Sequence, residues 1–304
     1  MALFQQMMIF FFFMVIGFYL GKKQILDEPT SKHISWIVIH VANPAMILSG
    51  VMGGGSRLSG RDLLLTVGIA VGMFSVLIII GVIVTKILPL EKEDKGIYRM
   101  MFVFANIGFM GFPIISAVYG KAALINATIY LLPFNLLIYT YGILCLRSES
   151  GFQVKDVMKS VCNIGVIASI LAIVLYFSSI AMPSPIVQAV DMLSNLTGPL
   201  SMLVIGASFV ELSWRDLFSD GKLIVFTLIR LLLIPVIGIL IVKAITDNVI
   251  INQVFGIMIT APIASMCVMM AKQYTKNDTT ASKGVALSTL LAMVSIPLVM
   301  NVLM

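Results

Sequence analysis

The stretch Asn106-Ile107-Gly108-Phe109-Met110-Gly111-Phe112-Pro113 interrupts an otherwise apolar segment with helix-breaking residues. A second interruption, Thr260-Ala261-Pro262-Ile263-Ala264-Ser265, lies in the other half of the chain. Glycine and proline release backbone groups from a helix, and such groups are tolerated at membrane depth only where protein covers them or a cavity encloses them. Matching interruptions in two halves of a chain are typical of the binding site of a secondary transporter.

Residues around the two interruptions recur at a nearly constant interval. Tyr119, Lys121 and Pro44 precede Tyr274, Lys276 and Pro199 by 155 residues, and Arg61-Asp62 precedes Arg215-Asp216 by 154. Several pairs in one register indicate an internal duplication. We therefore divide the chain into a first repeat over residues 1–150 and a second repeat over residues 151–304.

The composition indicates that lipid surrounds this chain. Of its 304 residues, 60% are hydrophobic and 11% are charged, and the mean hydropathy is +1.06. A soluble core of this size cannot hide so much apolar surface, so the sequence predicts an integral membrane protein.

Ten hydrophobic segments are long enough to span about 30 Å of hydrocarbon when tilt and helix breaks are allowed. They cover approximately 3–20, 33–53, 62–87, 97–119, 122–146, 157–178, 186–210, 221–245, 250–272 and 281–303. The predicted fold is an all-α integral membrane protein of ten transmembrane helices in two sets of five, with helices 4 and 9 broken.

Basic residues in the loops predict the orientation. The odd-numbered loops carry 15 Lys and Arg residues, and the even-numbered loops carry 4. Basic residues accumulate on the cytoplasmic side, so we expect a multi-pass protein of the cell membrane with both termini extracellular. Because each repeat has an odd number of helices, the two repeats must be inverted relative to each other.

Three motifs resemble those of a known family. They are Asn106 to Pro113 in the fourth segment, Gly198-Pro199-Leu200-Ser201-Met202-Leu203-Val204-Ile205-Gly206-Ala207-Ser208 in the seventh, and Asn43-Pro44-Ala45 in the second. In this order they resemble the auxin efflux carrier family, part of the larger group that includes the bile acid:sodium symporters. The resemblance covers essentially the whole chain, and the short loops are similar to those of prokaryotic members.

The resemblance implies an elevator mechanism of transport. Helices 1, 2, 6 and 7 (about 3–53 and 157–210) would form a scaffold, and helices 3–5 and 8–10 would form a moving transport domain. Helices 4 and 9 would cross near the membrane midplane. The implied substrate is a small organic anion, which is auxin for plant members and a carboxylate such as malate or malonate for bacterial members.

The crossing is the expected substrate site. N-terminal ends of half-helices present amide donors and a positive dipole end, which suit a carboxylate. The expected substrate-binding residues are Asn106, Gly108, Gly111, Pro113, Thr260, Pro262, Ser265, Asn43 and Arg230. Asn106 matches the asparagine that the family places at its crossover, and the alternative is a side chain that only caps a broken helix.

Arg230 is the charged residue that lies deepest in a hydrophobic segment. Burial of its charge is costly, so the side chain should face protein or water and have a partner. One candidate partner is a substrate carboxylate. The alternatives are backbone carbonyls released by Pro235 or an extended side chain that reaches the cytoplasmic interface.

The source of coupling is left open by the sequence. His40 lies one turn before Asn43 and is the candidate for proton coupling, with a hydrogen-bonded packing residue as the alternative. The related sodium symporters use an acidic residue in the ninth segment, and none occurs between Ala261 and Ala271. Sodium coupling of that kind is disfavoured, whereas a passive channel or an uncoupled facilitator for small anions stays open as an alternative.

No arrangement of residues indicates an enzyme. The two histidines, His33 and His40, have no neighbours suited to metal binding or general base catalysis. We expect no catalytic residues, no cofactor and no metal site. The net charge of +6 follows from the basic cytoplasmic loops, so no nucleic-acid partner is expected. The expected partners are the anion and the lipid bilayer, with a homodimer left open.

Overall fold

A computed structural model describes residues 2–52, 59–146, 164–178, 182–211, 213–275 and 279–304. Within these ranges the regular elements are helices, and extended backbone pairs only at one isolated bridge. The helices are α1 (Ala2–Lys22), α2 (Glu28–Met52), α3 (Gly60–Ile87), α4a (Lys95–Val103), α4b (Ile107–Tyr119), α5 (Lys121–Leu146), α6 (Ile164–Ser178), α7 (Ser184–Ser208), α8 (Gly221–Ile245), α9a (Val249–Thr260), α9b (Met266–Tyr274) and α10 (Thr279–Leu303). A short helix, Trp214–Ser219, precedes α8.

The outer surface of the helices is apolar. Seven helices of the described ranges are long and apolar enough to cross a membrane, namely α1, α2, α3, α5, α7, α8 and α10. The shorter helices α4b, α6 and α9a are apolar as well. Large hydrophobic side chains such as Phe12, Ile79 and Val294 are more than half exposed, which suits contact with lipid tails. The prediction of an all-helical membrane protein is confirmed.

Polar residues in the loops set where several helices begin. The carboxylate of Asp27 accepts a hydrogen bond from the amide of Thr30 at 2.9 Å and caps α2. The hydroxyl of Ser59 accepts from the amide of Asp62 at 3.1 Å and caps α3, and Asn248 caps α9a in the same way. Each cap satisfies an amide that has no acceptor within its own helix.

Helices α1 and α7 approach each other closely enough for their backbones to touch. A Cβ atom on Gly17 would overlap the carbonyl of Leu203, and one on Gly206 would overlap the carbonyl of Met14. Helices in membranes associate through such small residues, because lipid tails offer no hydrophobic driving force between them. We call this contact the glycine seam. It joins the first helix to one from the second half of the chain.

Helix α2 packs against α6 and α7, whereas α3 packs against α4a and α5, and α9a packs against α8 and α10. The hydroxyls of Ser49 and Ser194 lie 3.2 Å apart in the buried contact between α2 and α7. One ion pair crosses from α5 to α7, with the Lys121 ammonium 2.7 Å from the Asp191 carboxylate. Helix α7 thus contacts helices from both halves of the chain.

Candidate functional site

Two helices are interrupted where they meet. The linker between α4a and α4b covers residues 104–106, and the linker between α9a and α9b covers residues 261–265. Ala105 and Ile263 form an antiparallel bridge, so the two linkers run in opposite directions beside each other. The second linker lies within the stretch that the sequence indicated, whereas the first begins two residues before its stretch and overlaps it only at Asn106.

The backbone groups released by the breaks bond to one another. The amide of Asn106 donates to the carbonyl of Pro262 at 2.7 Å, and the amide of Ala264 donates to the carbonyl of Phe104 at 2.9 Å. The hydroxyl of Ser288 on α10 accepts from the amide of Ile263 at 3.1 Å. Broken backbone at this depth is therefore covered by protein, as the membrane requires.

The N-terminal ends of α4b and α9b carry polar side chains that meet. The Asn106 Oδ1 atom accepts from the amide of Phe109 at 3.4 Å, and its Nδ2 atom lies 3.5 Å from the Oγ atom of Ser265. Ser265 directly precedes α9b. Amides in a first helical turn lack intrahelical acceptors and mark the positive end of the helix dipole. We call this region the amide side of the crossing.

Helices α2 and α7 border the amide side. The Nδ2 atom of Asn43 lies 2.9 Å from the position that a Cβ atom would take on Gly108, so a larger residue there would displace the Asn43 side chain. The Oδ1 atom of Asn43 is buried without a hydrogen-bond partner. On α7, a Cβ atom at Gly198 would lie 3.4 Å from Pro113.

Two hydroxyls on α7 were not assigned a role by the sequence. Thr197 and Ser201 are fully buried, and neither hydroxyl has a hydrogen-bond partner. They belong to the part of α7 that packs against Ile107–Gly111 at the start of α4b. The signal in the sequence is their spacing of four residues, which places both on one face of an apolar helix.

The C-terminal ends of α4a and α9a meet at Arg230. Its Nε atom donates to the carbonyl of Phe102 at 2.7 Å, and its Nη1 atom donates to the carbonyl of Ile259 at 2.7 Å. The residue is 1% exposed. Phe102 lies in the last turn of α4a and Ile259 in the last turn of α9a. We call this region the carbonyl side of the crossing.

Backbone carbonyls were one of the expected partners of Arg230, but their source differs from the expectation. They belong to α4a and α9a, and not to the backbone that Pro235 releases in α8. Among the residues that the structure describes, Arg230 takes part in no ion pair.

The other expected residues fall into two groups. Gly111 is buried in the π-helical turn that opens α4b, and the Pro262 carbonyl accepts from Asn106, so both belong to the crossing. The hydroxyl of Thr260 is turned back into its own helix, where it donates to the carbonyl of Gly256 at 2.6 Å.

His40 lies on the exposed surface of α2. Its ring stacks on that of Trp36 with centroids 4.4 Å apart, and its Nδ1 atom is 3.0 Å from the Trp36 carbonyl oxygen. The structure therefore gives His40 a partner on its own helix, which was the alternative to proton coupling.

Comparisons with known proteins agree with this architecture. The profile of the membrane transport protein family matches residues 2–300. An uncharacterised transporter of Methanocaldococcus jannaschii is 26% identical over 202 residues, which cover 64% of this chain and 65% of that protein. An uncharacterised transporter of Methanothermobacter thermautotrophicus is 22% identical over 292 residues and 93% of both chains. The chain therefore belongs to the membrane transport protein family, which includes the auxin efflux carriers, and it is a multi-pass membrane transporter and not an enzyme.

Proposed function

We propose that the protein is a secondary active transporter of a small organic anion that binds at the amide side of the crossing. The observation that carries this proposal is the meeting of Asn106 and Ser265, 3.5 Å apart, at the N-terminal ends of α4b and α9b. Two positive dipole ends and neutral side-chain donors converge there, and a carboxylate is the ligand that such a set accommodates. Asn43 supplies a third polar group from α2.

The charges in the sequence favour an anion over a cation. No Asp or Glu occurs between residues 97 and 146 or between residues 248 and 277, which include both interruptions. A cation in the buried crossing would therefore find no carboxylate to offset its loss of hydration, whereas an anion would find amide and hydroxyl donors. The candidate substrates are therefore mono- or dicarboxylates such as auxin, malate and malonate.

Alternating access by an elevator movement completes the proposal. In this arrangement the ten segments form two inverted sets of five, and both termini are extracellular. The glycine seam, together with the packing of α2 against α6 and α7, would make a rigid scaffold. The crossing would move with α3, α5, α8 and α10. The Lys121–Asp191 ion pair joins α5 to α7, so it must open when the transport domain slides along the scaffold.

Two measurements test the proposal. Purified protein in detergent is screened by thermal unfolding against mono- and dicarboxylates, with amines of similar size as controls. A ligand that binds only the folded state raises the unfolding temperature as its concentration rises, so carboxylates should do so and amines should not. Stabilisation by amines and not by carboxylates would overturn the choice of an anion.

Counterflow then separates a carrier from a passive channel. Proteoliposomes loaded with unlabelled carboxylate should accumulate labelled carboxylate transiently, because a carrier exchanges one molecule for another. An open pore shows no such stimulation, and uptake without counterflow would favour the channel or facilitator.

A further inference from the structure

The carbonyl side of the crossing brings two negative helix ends together in a buried place. The last carbonyls of a helix have no intrahelical donor, and each C-terminal end corresponds to about half a negative charge. Two such ends therefore amount to about one negative charge. In a membrane interior this charge and these carbonyls need a donor from the protein or a bound cation.

In transporters with broken helices, unwound carbonyls and C-terminal ends of half-helices are the groups that hold a coupling sodium ion. Here the same groups hold the guanidinium of Arg230. Its two hydrogen bonds, to Phe102 and to Ile259, are both 2.7 Å long and reach one helix end each. Its single positive charge is equal in size to the sum of the two helix ends.

We propose that Arg230 is a built-in cation of the crossing. Its guanidinium takes the position that a coupling sodium ion would occupy, holds the ends of α4a and α9a together and makes the folded crossing independent of sodium. Arg230 is then a positioning residue that acts on the crossing through the two helices. The inference rests on the contacts of the carbonyl side and holds whether or not the proposed anion is the substrate.

The geometry favours arginine over other basic residues. A guanidinium presents several N–H donors in a rigid plane, so one side chain can serve two acceptors from different helices at once. An extended side chain that reached the cytoplasmic interface would leave its head group in water, but Arg230 is 1% exposed. Its Nε and Nη1 atoms donate to carbonyls, and its Nη2 atom is buried without a partner. Those carbonyls come from residues 128 and 29 positions away in the sequence, so the contact ties distant segments together.

Chemical rescue tests the proposal on the purified protein without a transport substrate. Arg230→Gly removes the guanidinium and leaves the space it filled. We expect this variant to unfold at a lower temperature than the parent and to recover at least half of the loss in millimolar guanidinium or methylguanidinium. The same salts should not raise the unfolding temperature of the parent.

Arg99→Gly is the matched control. The Nε atom of Arg99 donates to the Thr85 hydroxyl at 3.0 Å, and the side chain is only partly buried. The Arg99 guanidinium does not bridge two helix ends. Added guanidinium should therefore not raise the unfolding temperature of Arg99→Gly. Equal rescue of both variants, or rescue of neither, would overturn the proposal.

Two further variants keep the test decisive if Arg230→Gly cannot be purified. Arg230→Lys keeps the charge and Arg230→Met keeps most of the volume, so the lysine variant should unfold at the higher temperature. The reverse order would contradict a role as a cation. Replacement of sodium by choline should leave the unfolding temperature of the parent unchanged, and a drop would show that the cation position is not filled by Arg230.

Discussion

The two sides of the crossing differ in how the protein satisfies them. On the carbonyl side, Arg230 makes two charged hydrogen bonds of 2.7 Å to backbone oxygens. On the amide side, Asn106 makes neutral contacts of 3.4 and 3.5 Å, which lie at the long limit of hydrogen bonding. Charged hydrogen bonds are shorter and about twice as strong as neutral ones. The protein thus fills the cation position with its own side chain and holds the anion position only weakly.

This difference indicates on which side of the crossing a ligand can bind. A ligand that displaced Arg230 would have to replace two strong bonds in a buried site, whereas a ligand at the amide side would replace long contacts between neutral groups. The unpartnered Oδ1 atom of Asn43 and the unpartnered hydroxyls of Thr197 and Ser201 lie on the helices that border that side. A buried polar atom without a partner calls for one, and a ligand bound at the amide side would supply it for these three atoms.

The largest effect is expected on the carbonyl side. Arg230→Gln should lower the free energy of unfolding by about 2 to 6 kcal/mol, because two buried carbonyls lose charged donors at about 1 to 3 kcal/mol each. Uptake of the carboxylate identified by the thermal screen should be mostly lost, and Arg230→Lys should keep part of it, since charge remains but the planar fork does not. Near-normal uptake by both variants would remove Arg230 from the transport mechanism.

The next effect concerns space on the amide side. A Cβ atom on Gly111 would meet Ile107 and Met258 at 3.7 and 3.8 Å, which is ordinary contact, so Gly111→Ala should transport almost as the parent does. Gly111→Leu adds three further carbons at this buried position and should abolish transport while the protein stays inserted. Uptake in proteoliposomes and the amount of protein recovered from the membrane measure the two outcomes. Transport by the leucine variant would place the ligand elsewhere.

A pair of asparagines separates binding from stability. Asn106→Ala should weaken carboxylate binding by about 1 to 3 kcal/mol, because a buried oxygen of the ligand loses its donor. Asn252 is buried to a similar degree, with 6% exposure against 5%, and donates to the Thr246 carbonyl at 2.8 Å. Asn252→Ala should cost stability and leave binding unchanged. Thermal titration of both variants with the same carboxylate checks this contrast, and equal losses of affinity would contradict it.

The smallest effect is expected at a hydroxyl without a partner. Ser201→Ala should leave the free energy of unfolding within about 0.5 kcal/mol of the parent, because no hydrogen bond is lost. It should weaken carboxylate binding a few-fold, less than Asn106→Ala does. Ser169→Ala, at a fully buried serine that donates to the Gly165 carbonyl at 2.7 Å, is the control and should lose more stability. An equal loss of stability in the two variants would show that Ser201 has a partner in the fold.

The existence of the two breaks could be predicted from sequence, but not their position within a few residues. Gly108 and Pro113 suggested that the backbone opens around them, whereas the linker lies at residues 104–106 and both residues fall inside α4b. The physical reason is that bonds to Pro262 and Ala264 hold the linker extended. Such bonds join distant parts of the chain, so local propensity does not report them. Gly108 serves a different purpose, which is to admit the side chain of Asn43.

The residue types at the site were predictable, and their partners were not. That Arg230 needs a partner followed from its place in a hydrophobic segment. Which carbonyls it binds depends on the angle at which three helices meet, and a sequence does not state this angle. The exposure of His40 could not be predicted either. An apolar helix in lipid has apolar residues on both its lipid-facing and its protein-facing side, so the sequence does not tell the two sides apart.

The glycine seam has a consequence for how the protein is made. Gly17 contacts the backbone of Leu203, which the ribosome adds 186 residues later. At about 5 to 20 residues per second, α1 must stay in the membrane for about 10 to 40 seconds before its partner is synthesised. Lipid tails are as apolar as the side chains of α1, so they can cover its glycine face at little cost during this delay. Helix α1 thus meets this neighbour only after α7 has been synthesised in the other half of the chain.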